Sequence, residues 1–478
     1  MYRVRYTGLD GIHGGDDVGR SAIVLAAGLG TRMKSKHHKV LHTVCGKPMI
    51  VHILDELEKL QLEQIIVVVG QQRETVAAAV AGRADIAIQD EQLGTGHAVQ
   101  CAMPHLAEGM DTTVVLYGDA PLIRAQTIDA LLETQASRHA SAVVLTATVS
   151  NPAGLGRVVL GQDNRLERIV EEKDATPEER AIHQINTGIY AFDTADLRQA
   201  LGALKPENAQ GEYYLTDTIA ILRAAGKPVL AQAVDDPEEI LSVNDRVQLS
   251  VVEKTLQRRI REHWMRQGVT MVDPDQVYIG LDVEIGRDTV LYPGTFLEGR
   301  TVIGEDCTVG PNTRLVDTTV QAGAVVQSSV ALECVIGPEA AVGPFAYLRP
   351  GTEIGARVKI GDFVEVKKST IGDDTKISHL AYVGDARVGQ RVNIGCGVIT
   401  VNYDGKDKHQ TVIGNDSFVG SNVNLIAPVE IGDGAYVCAG STITDTVPND
   451  GFAIARSRQV TKADYVQSWQ KKRQETEK

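Results

Sequence analysis

Two clusters of residues in this chain have the types and spacing to do chemistry. The first is Leu25-Ala26-Ala27-Gly28-Leu29-Gly30-Thr31-Arg32-Met33, with Lys39 six residues further on. Glycines after an apolar run let backbone N–H groups approach phosphate oxygens, and an adjoining helix N-terminus favours the anion. A lone Gly-x-Gly turn serves more often as a tight strand-to-helix connection. Here it stands with two cations, Arg32 and Lys39, which together could neutralise a triphosphate. Two other phosphate-binding patterns fail: the dinucleotide fingerprint needs a third glycine where Met33 stands, and the P-loop needs Gly-Lys-Ser/Thr. Asp119 follows an apolar run and Gly118, where a hard oxygen ligand could take magnesium. By itself such an aspartate is as well explained as a helix N-cap or turn residue.

The second cluster lies far along the chain. Glu365-Val366-Lys367-Lys368 and His379-Leu380-Ala381-Tyr382 precede Asn402-Tyr403-Asp404-Gly405-Lys406-Asp407-Lys408, a polar stretch with turn chemistry. An imidazole of ordinary pKa, about 6.5, can take a proton at cellular pH. One histidine alone defaults to a surface group at a turn. Zinc hydration chemistry is a poor fit, because it needs about three histidine ligands and residues 270–458 contain only His379 and His409.

These residues need elements to hold them. Ala22-Ile23-Val24-Leu25, Ile65-Ile66-Val67-Val68-Val69, Thr113-Val114-Val115-Leu116-Tyr117 and Ala142-Val143-Val144-Leu145 are short apolar runs, the pattern of buried parallel strands. Helical segments from Pro48 to Leu60 and from Gln126 to Ser137 alternate with them. The pattern predicts an open α/β sheet whose ligands lie beyond the carboxyl ends of the strands. Arg246 to Gln267 has helical spacing with neither Gly nor Pro, and predicts a helix joining two halves.

From about residue 270 the period changes. Fifteen Ile/Val–Gly pairs lie between 279 and 432, and ten of their fourteen intervals are multiples of six, which marks a parallel β-helix. One branched side chain per hexad points inward, and the glycine or small residue beside it is expected to turn the corner. The gap of nineteen residues between Ile394-Gly395 and Ile413-Gly414 holds the 402–408 stretch, and Gly361 to Gly384 is irregular as well. Loops that leave a regular solenoid often carry its function.

With 478 residues the chain has room for two to four domains. Its net charge of −14 argues against nucleic acid or an anionic membrane as partner. No run approaches the roughly 18 apolar residues of a membrane span. Six cysteines without any C-x-x-C pair fit the reduced thiols of a cytoplasmic protein. Residues 1–20, with five glycines and no apolar run, are expected to be a disordered leader and not a signal peptide.

The run from Leu25 to Met33 with Lys39 resembles the signature of sugar-phosphate nucleotidyltransferases. Gln89-Asp90-Glu91-Gln92-Leu93-Gly94-Thr95-Gly96-His97, Tyr117-Gly118-Asp119, Asn186-Thr187-Gly188 and Val243-Asn244-Asp245-Arg246 follow in the expected order. With the hexads attached, residues 21–458 resemble the family of bifunctional N-acetylglucosamine-1-phosphate uridylyltransferase/glucosamine-1-phosphate N-acetyltransferases. The resemblance implies a Rossmann-like nucleotidyltransferase domain at 21–246, a linker helix at 247–267 and a left-handed parallel β-helix of hexapeptide repeats at 268–458. A charged helical tail at 459–478 would complete the chain. It also implies a homotrimer that makes UDP-N-acetylglucosamine for cell-wall synthesis.

Carried over residue by residue, the resemblance puts the uridine nucleotide on Leu25, Ala26, Ala27, Gly28, Gly30, Gln89, Gln92, Gly94 and Thr95, with Arg32 and Lys39 catalytic. It puts the sugar on Gly156, Glu171 and Asn186, and magnesium on Asp119 and Asn244, the latter facing substrate too. For the acetyl step it implies His379 as general base and Arg349, Lys367, Tyr382 and Asn393 on glucosamine 1-phosphate. Lys408 would join them, often from a neighbouring subunit. Cys396, Asn402, Tyr403, Ser421, Ala439 and Arg456 would lie along acetyl-CoA. Two residues depart from the pattern: His38 stands where many relatives carry proline, and Cys396 where many carry alanine.

The chemistry makes this set sensible. The second pKa of a phosphate monoester is about 6, so N-acetylglucosamine 1-phosphate can attack the α-phosphorus of UTP without a general base. Charge neutralisation and in-line positioning are what it needs. An amine attacking the acetyl-CoA thioester must lose a proton, which requires a base. The alternative is a monofunctional nucleotidyltransferase whose β-helix serves only oligomerisation; a purely structural solenoid leaves the first cluster unexplained.

Overall fold

The computed structural model describes residues 19–161 and 165–476, which fall into two compact units divided at Leu256/Gln257. The core of the first is a sheet in the order Val229–Ala233, Ala142–Thr148, Gln184–Asp193, Met110–Tyr117, Gly19–Ala26, Gln64–Val69, Asp85–Ile88. Neighbouring strands run parallel except Gln184–Asp193, which is antiparallel to both its neighbours. The apolar runs are strands because both faces are covered, so Val24, Val67, Val114 and Val143 pack into one core cluster while Ile23, Val68, Val115 and Val144 pack into another. Helices Met49–Leu57 and Ala125–Ser137 lie where the sequence predicts them.

Two differences from the expectation stand out. Gly19 and Arg20 belong to the first strand rather than to a leader; a side chain at Gly19 would collide with the Gly109 carbonyl at 2.2 Å, and the Arg20 carbonyl accepts from the Glu63 N–H at 2.9 Å. Residues 1–18 of the expected leader lie outside the described residues. The antiparallel strand Gln184–Asp193 also breaks the purely parallel pattern, with a register shift between Asn186 and Tyr190.

The expected linker is the helix Arg246–Arg266. In the second unit, strands of two to three residues stack in parallel coil upon coil. Glu284 pairs with Val302, Val290 with Thr308 and Phe296 with Arg314, one coil of three hexads each. Ile279, Ile285, Leu291, Leu297, Ile303 and Val309 point into the coil and are buried. Each such side chain stabilises the stack by roughly 1.5–3 kcal/mol. Inward threonines are tolerated because their hydroxyls donate to carbonyls: Thr301 to Glu298 at 2.7 Å, Thr289 to Gly304 at 2.8 Å.

Most hexad glycines do not themselves turn the corner, although Gly310 and Gly343 do take a positive φ. Left-handed residues stand two positions after a hexad glycine at Asp288, Asp306, Glu339, Arg357, Asp374, Arg391 and Asp416, among others. The glycine is needed for approach: a side chain at Gly286 would stand 2.5 Å from the Glu305 nitrogen of the next coil. The 402–408 stretch lengthens its coil, so that Arg387 pairs with Val412 and Asn393 with Phe418, twenty-five residues on. The tail forms the exposed helix Tyr465–Thr476.

Candidate active sites

In the first unit, Leu25 is the penultimate residue of the first strand and its carbonyl accepts from the Gly118 N–H at 2.8 Å. Gly118 must lack a side chain, which would meet Ile50 at 3.0 Å and the Leu25 carbonyl at 3.2 Å. That close approach delivers Asp119 to the mouth of the sheet. The Asp119 carbonyl then accepts from the Val243 N–H at 2.9 Å, which brings Asn244 alongside. Gly30 takes a left-handed conformation, φ 60°, with its Cα against the Lys39 stem. Lys39 bonds Asp119 Oδ2 and reaches Asn244 Oδ1 at 3.2 Å.

A cleft of about 350 Å³ opens here, lined by Leu25, Ala26, Ala27, Gly28, Lys39, Gln89, Gln92, Gly94, Thr95, Asp119 and Asn244. All eleven are residues expected from the sequence. Val40, Ala98, Tyr117 and Glu212 line it too and were not expected. Gly30 acts from behind Lys39, and Arg32 is exposed and does not line the cleft. Gln92 donates to the Ala27 carbonyl at 2.6 Å, and the Thr95 hydroxyl accepts from the Leu215 N–H at 3.1 Å.

Gly156, Glu171 and Asn186 come together against Tyr117. The Asn186 N–H donates to the Gly156 carbonyl at 2.9 Å, and a side chain at Gly156 would lie 3.5 Å from both Asn186 and Glu171. Gly188 admits the Tyr117 ring, which would lie 2.2 Å from any Cβ there. Burial raises the pKa of Glu171, partly offset by the Thr216 hydroxyl at 3.4 Å. Burial, and next the Glu171 charge, raise that of Tyr117. Tyr117 is thus the wall common to the cleft and the Glu171 group.

Magnesium suits the donor set. Asp119 and Asn244 supply hard oxygens on one cation, the Lys39 ammonium, and magnesium is commonly held by one or two carboxylates with substrate phosphates and water completing its shell. Among the described residues no group of three or more His, Cys, Asp or Glu could hold a metal.

In the second unit, Asp362 and His379 stand in register on adjacent strands, Lys359–Lys367 and Lys376–Gly384. Asp362 Oδ1 lies 2.6 Å from His379 Nδ1. A carboxylate only accepts, so Nδ1 carries a proton, and in the neutral ring Nε2 is left with the lone pair. The His379 side chain is 62% exposed, open to a substrate, and the imidazole holds the Asp362 carboxyl below its ordinary pKa. Nothing in residue type marked Asp362; the coil period, seventeen residues here, could have found it.

Lys367 pairs with Asp385 at 3.2 Å, and the Asn402 amide donates to the same carboxylate and lies 3.4 Å from the Tyr382 hydroxyl. Arg349 pairs with Glu365 at 2.8 Å, and Glu365 stands in register with Tyr382. Lys408, which the resemblance often takes from a neighbouring subunit, lies beside Lys367 of its own chain, whose side-chain contact and then charge lower the Lys408 pKa. Asp404 closes the 402–409 loop by accepting from the Lys406 and Asp407 N–H groups and from His409, at 2.7–2.8 Å. Asn393 stands in register with Lys376, and His379 makes no bond to Arg349, Lys367, Tyr382 or Asn393 among the described residues. Cys396, Ser421 and Ala439 stack in successive coils: Asn422 N–H donates to the Cys396 carbonyl at 2.7 Å, and Cβ atoms at Gly395 and Gly420 would meet the Ser421 and Ala439 nitrogens. The Arg456 stem lies 3.6 Å from where a Cβ on Gly440 would be.

An α/β sheet with a cleft at its strand ends that holds Lys39 against Asp119, on one chain with a hexapeptide β-helix carrying an oriented histidine, defines a nucleotidyltransferase joined to an acyltransferase. Residues 22–188 match the MobA-like NTP transferase domain, and residues 333–368 and 410–445 match the bacterial transferase hexapeptide family of six repeats. The "Bifunctional protein GlmU" of Shouchella clausii is 53% identical over 448 residues, covering 94% of this chain and 99% of that one. Those of Geobacillus sp. (strain WCH70) and Exiguobacterium sibiricum are 52% and 53% identical, covering 94% and 93% of this chain and 98% and 99% of theirs. The chain belongs to the bifunctional GlmU family. It is an acetyltransferase and a uridylyltransferase, and the monofunctional alternative gives way.

Proposed function

We propose that the β-helical unit acetylates glucosamine 1-phosphate from acetyl-CoA, and that the α/β unit then transfers UMP from UTP to the N-acetylglucosamine 1-phosphate so formed. In the first reaction Arg349, Lys367, Tyr382, Asn393 and Lys408 hold the sugar phosphate, while Cys396, Asn402, Tyr403, Ser421, Ala439 and Arg456 lie along acetyl-CoA. His379 Nε2 takes a proton from the 2-amine as its nitrogen bonds the acetyl carbon; the C–S bond then breaks and the coenzyme A sulfur takes that proton from His379 and leaves as the thiol. In the second, a phosphate oxygen of the sugar attacks the α-phosphorus and pyrophosphate leaves. Gly28, Gly30, Arg32 and Lys39 neutralise and orient the triphosphate, Gln89, Gln92, Gly94 and Thr95 take the nucleoside, and Gly156, Glu171 and Asn186 take the sugar. Asp119 and Asn244 would hold magnesium, which supplies charge neutralisation at the phosphates.

The observation that carries the two-reaction reading is the Asp362–His379 pair, which leaves an exposed basic nitrogen that a mere oligomerisation device has no use for. Self-association as a homotrimer is supported by Phe345, Phe363, Leu380 and Phe452, all at least 59% exposed on the β-helix. A cytoplasmic location is supported by six free cysteines, and no helix among the described residues is long and apolar enough to cross a membrane. The test is one-pot synthesis. Purified protein given glucosamine 1-phosphate, acetyl-CoA, UTP and magnesium should make UDP-N-acetylglucosamine by mass spectrometry, and omitting acetyl-CoA should stop it. Product formed without acetyl-CoA would refute the order of steps.

A further inference from the structure

Gln89 is 4% exposed and lines the nucleotide cleft, yet its amide is already half committed. Its Nε2 lies 3.0 Å from the Gly94 carbonyl and 3.1 Å from His97 Nδ1. A carbonyl only accepts, so the nitrogen side of the amide must face Gly94, and its second N–H faces the imidazole. His97 Nδ1 therefore carries the lone pair, and the ring proton sits on Nε2, 3.8 Å from the Cys101 sulfur one helical turn on. Burial raises the Cys101 pKa, which keeps the thiol neutral there. With both amide protons taken, the Gln89 carbonyl oxygen has no partner among the described residues, and it is not a sealed-off buried atom.

We infer that His97 is a positioning residue for nucleobase choice: by accepting from Gln89 it holds the amide with Oε1 toward the cleft, where it reads an N3–H donor. The inference rests on the uridylyl-transfer reading of this cleft. Uracil presents N–H at N3; cytosine presents a lone pair at the same place, and two acceptors facing each other in a buried cleft repel. A polar group left unpaired in such a site is what makes a pocket reject the wrong ligand. The Gly94 carbonyl alone leaves one amide proton unanswered, so His97 supplies the second constraint against rotation of the amide.

The experiment compares kcat/KM for UTP and CTP, by pyrophosphate release with N-acetylglucosamine 1-phosphate, in the full chain and in His97→Leu and His97→Asn. Leucine has similar bulk and no acceptor; the asparagine oxygen occupies about the position of Nδ1. His97→Leu should narrow the UTP:CTP ratio by about tenfold or more, while His97→Asn should hold it within about threefold of the parent. Acetyl transfer by the same variants should be unchanged, which reports that each is folded. A parental ratio in His97→Leu, or equal loss in both variants, overturns the inference. A parent that releases no pyrophosphate from UTP would instead sink the uridylyl reading itself, and the inference with it.

Discussion

Replacing Gly30 by alanine tests how the glycine-rich loop works, because the added methyl has nowhere to go. Its Cβ would stand 2.6 Å from Lys39 Cβ and 3.3 Å from Cγ. Carbon contacts are comfortable at about 3.5–4.0 Å, so the root of Lys39 must retreat by about 1 Å. Lys39 is the group that reaches both Asp119 and Asn244. Misplacing a positioned group by about 1 Å costs about 100-fold in rate. The left-handed φ of 60° adds a backbone penalty of about 1–2 kcal/mol for a residue with a Cβ, or about 2–8 °C in Tm for a unit of this size. Pyrophosphate release at saturating substrates should therefore fall about 100-fold with a small drop in the melt, while thiol release from acetyl-CoA continues at the parent rate. Gly28→Ala is the contrast. Nothing lies within 4 Å of its Cβ position and its φ is not positive, so it should melt like the parent and instead raise the KM for UTP. Parental pyrophosphate turnover in Gly30→Ala would refute the proposed coupling of Gly30 to Lys39.

Burial raises the Glu171 pKa, so the folded chain holds that proton more tightly than the unfolded one. Stability from the neutral carboxyl is then lost as pH rises from the ordinary glutamate pKa through the raised one; Glu171→Gln should flatten that loss in thermal melts, and an unchanged profile would count against it. Asp362→Asn can offer an N–H to His379 Nδ1 and so favour the wrong tautomer, lowering acetyl turnover by at least about tenfold with pyrophosphate release intact. The full chain should sediment as a trimer and Phe363→Glu should weaken that association; a parent that sediments as a monomer at assay concentrations would contradict it.

Much of this was legible in the sequence for a physical reason: a β-helix repeats one short environment, so the inward Ile and Val recur at the coil's own period. Most hexad glycines were legible as positions and misread as corners, because a string of residues does not reveal that a side chain at Gly286 would stand 2.5 Å from the next coil's backbone. The antiparallel strand Gln184–Asp193 was missed since Asn186, Thr187 and Gly188 interrupt its apolar pattern at the register shift. Asp362, Asp385 and His97 were missed for a different reason. Each matters through a partner on another element, and charge or hydrogen-bond complementarity across space leaves no mark in local composition.

The most direct measurement is a pair of assays on three proteins: pyrophosphate release from UTP and thiol release from acetyl-CoA, in the parent, Asp119→Ala and His379→Ala. The parent should perform both reactions. Asp119→Ala should lose pyrophosphate release and keep acetyl transfer. His379→Ala should lose about 10²–10⁴-fold in acetyl turnover, the usual cost of a missing general base, and keep pyrophosphate release. A parent lacking either activity, or a single variant that loses both, would contradict two independent sites on one chain.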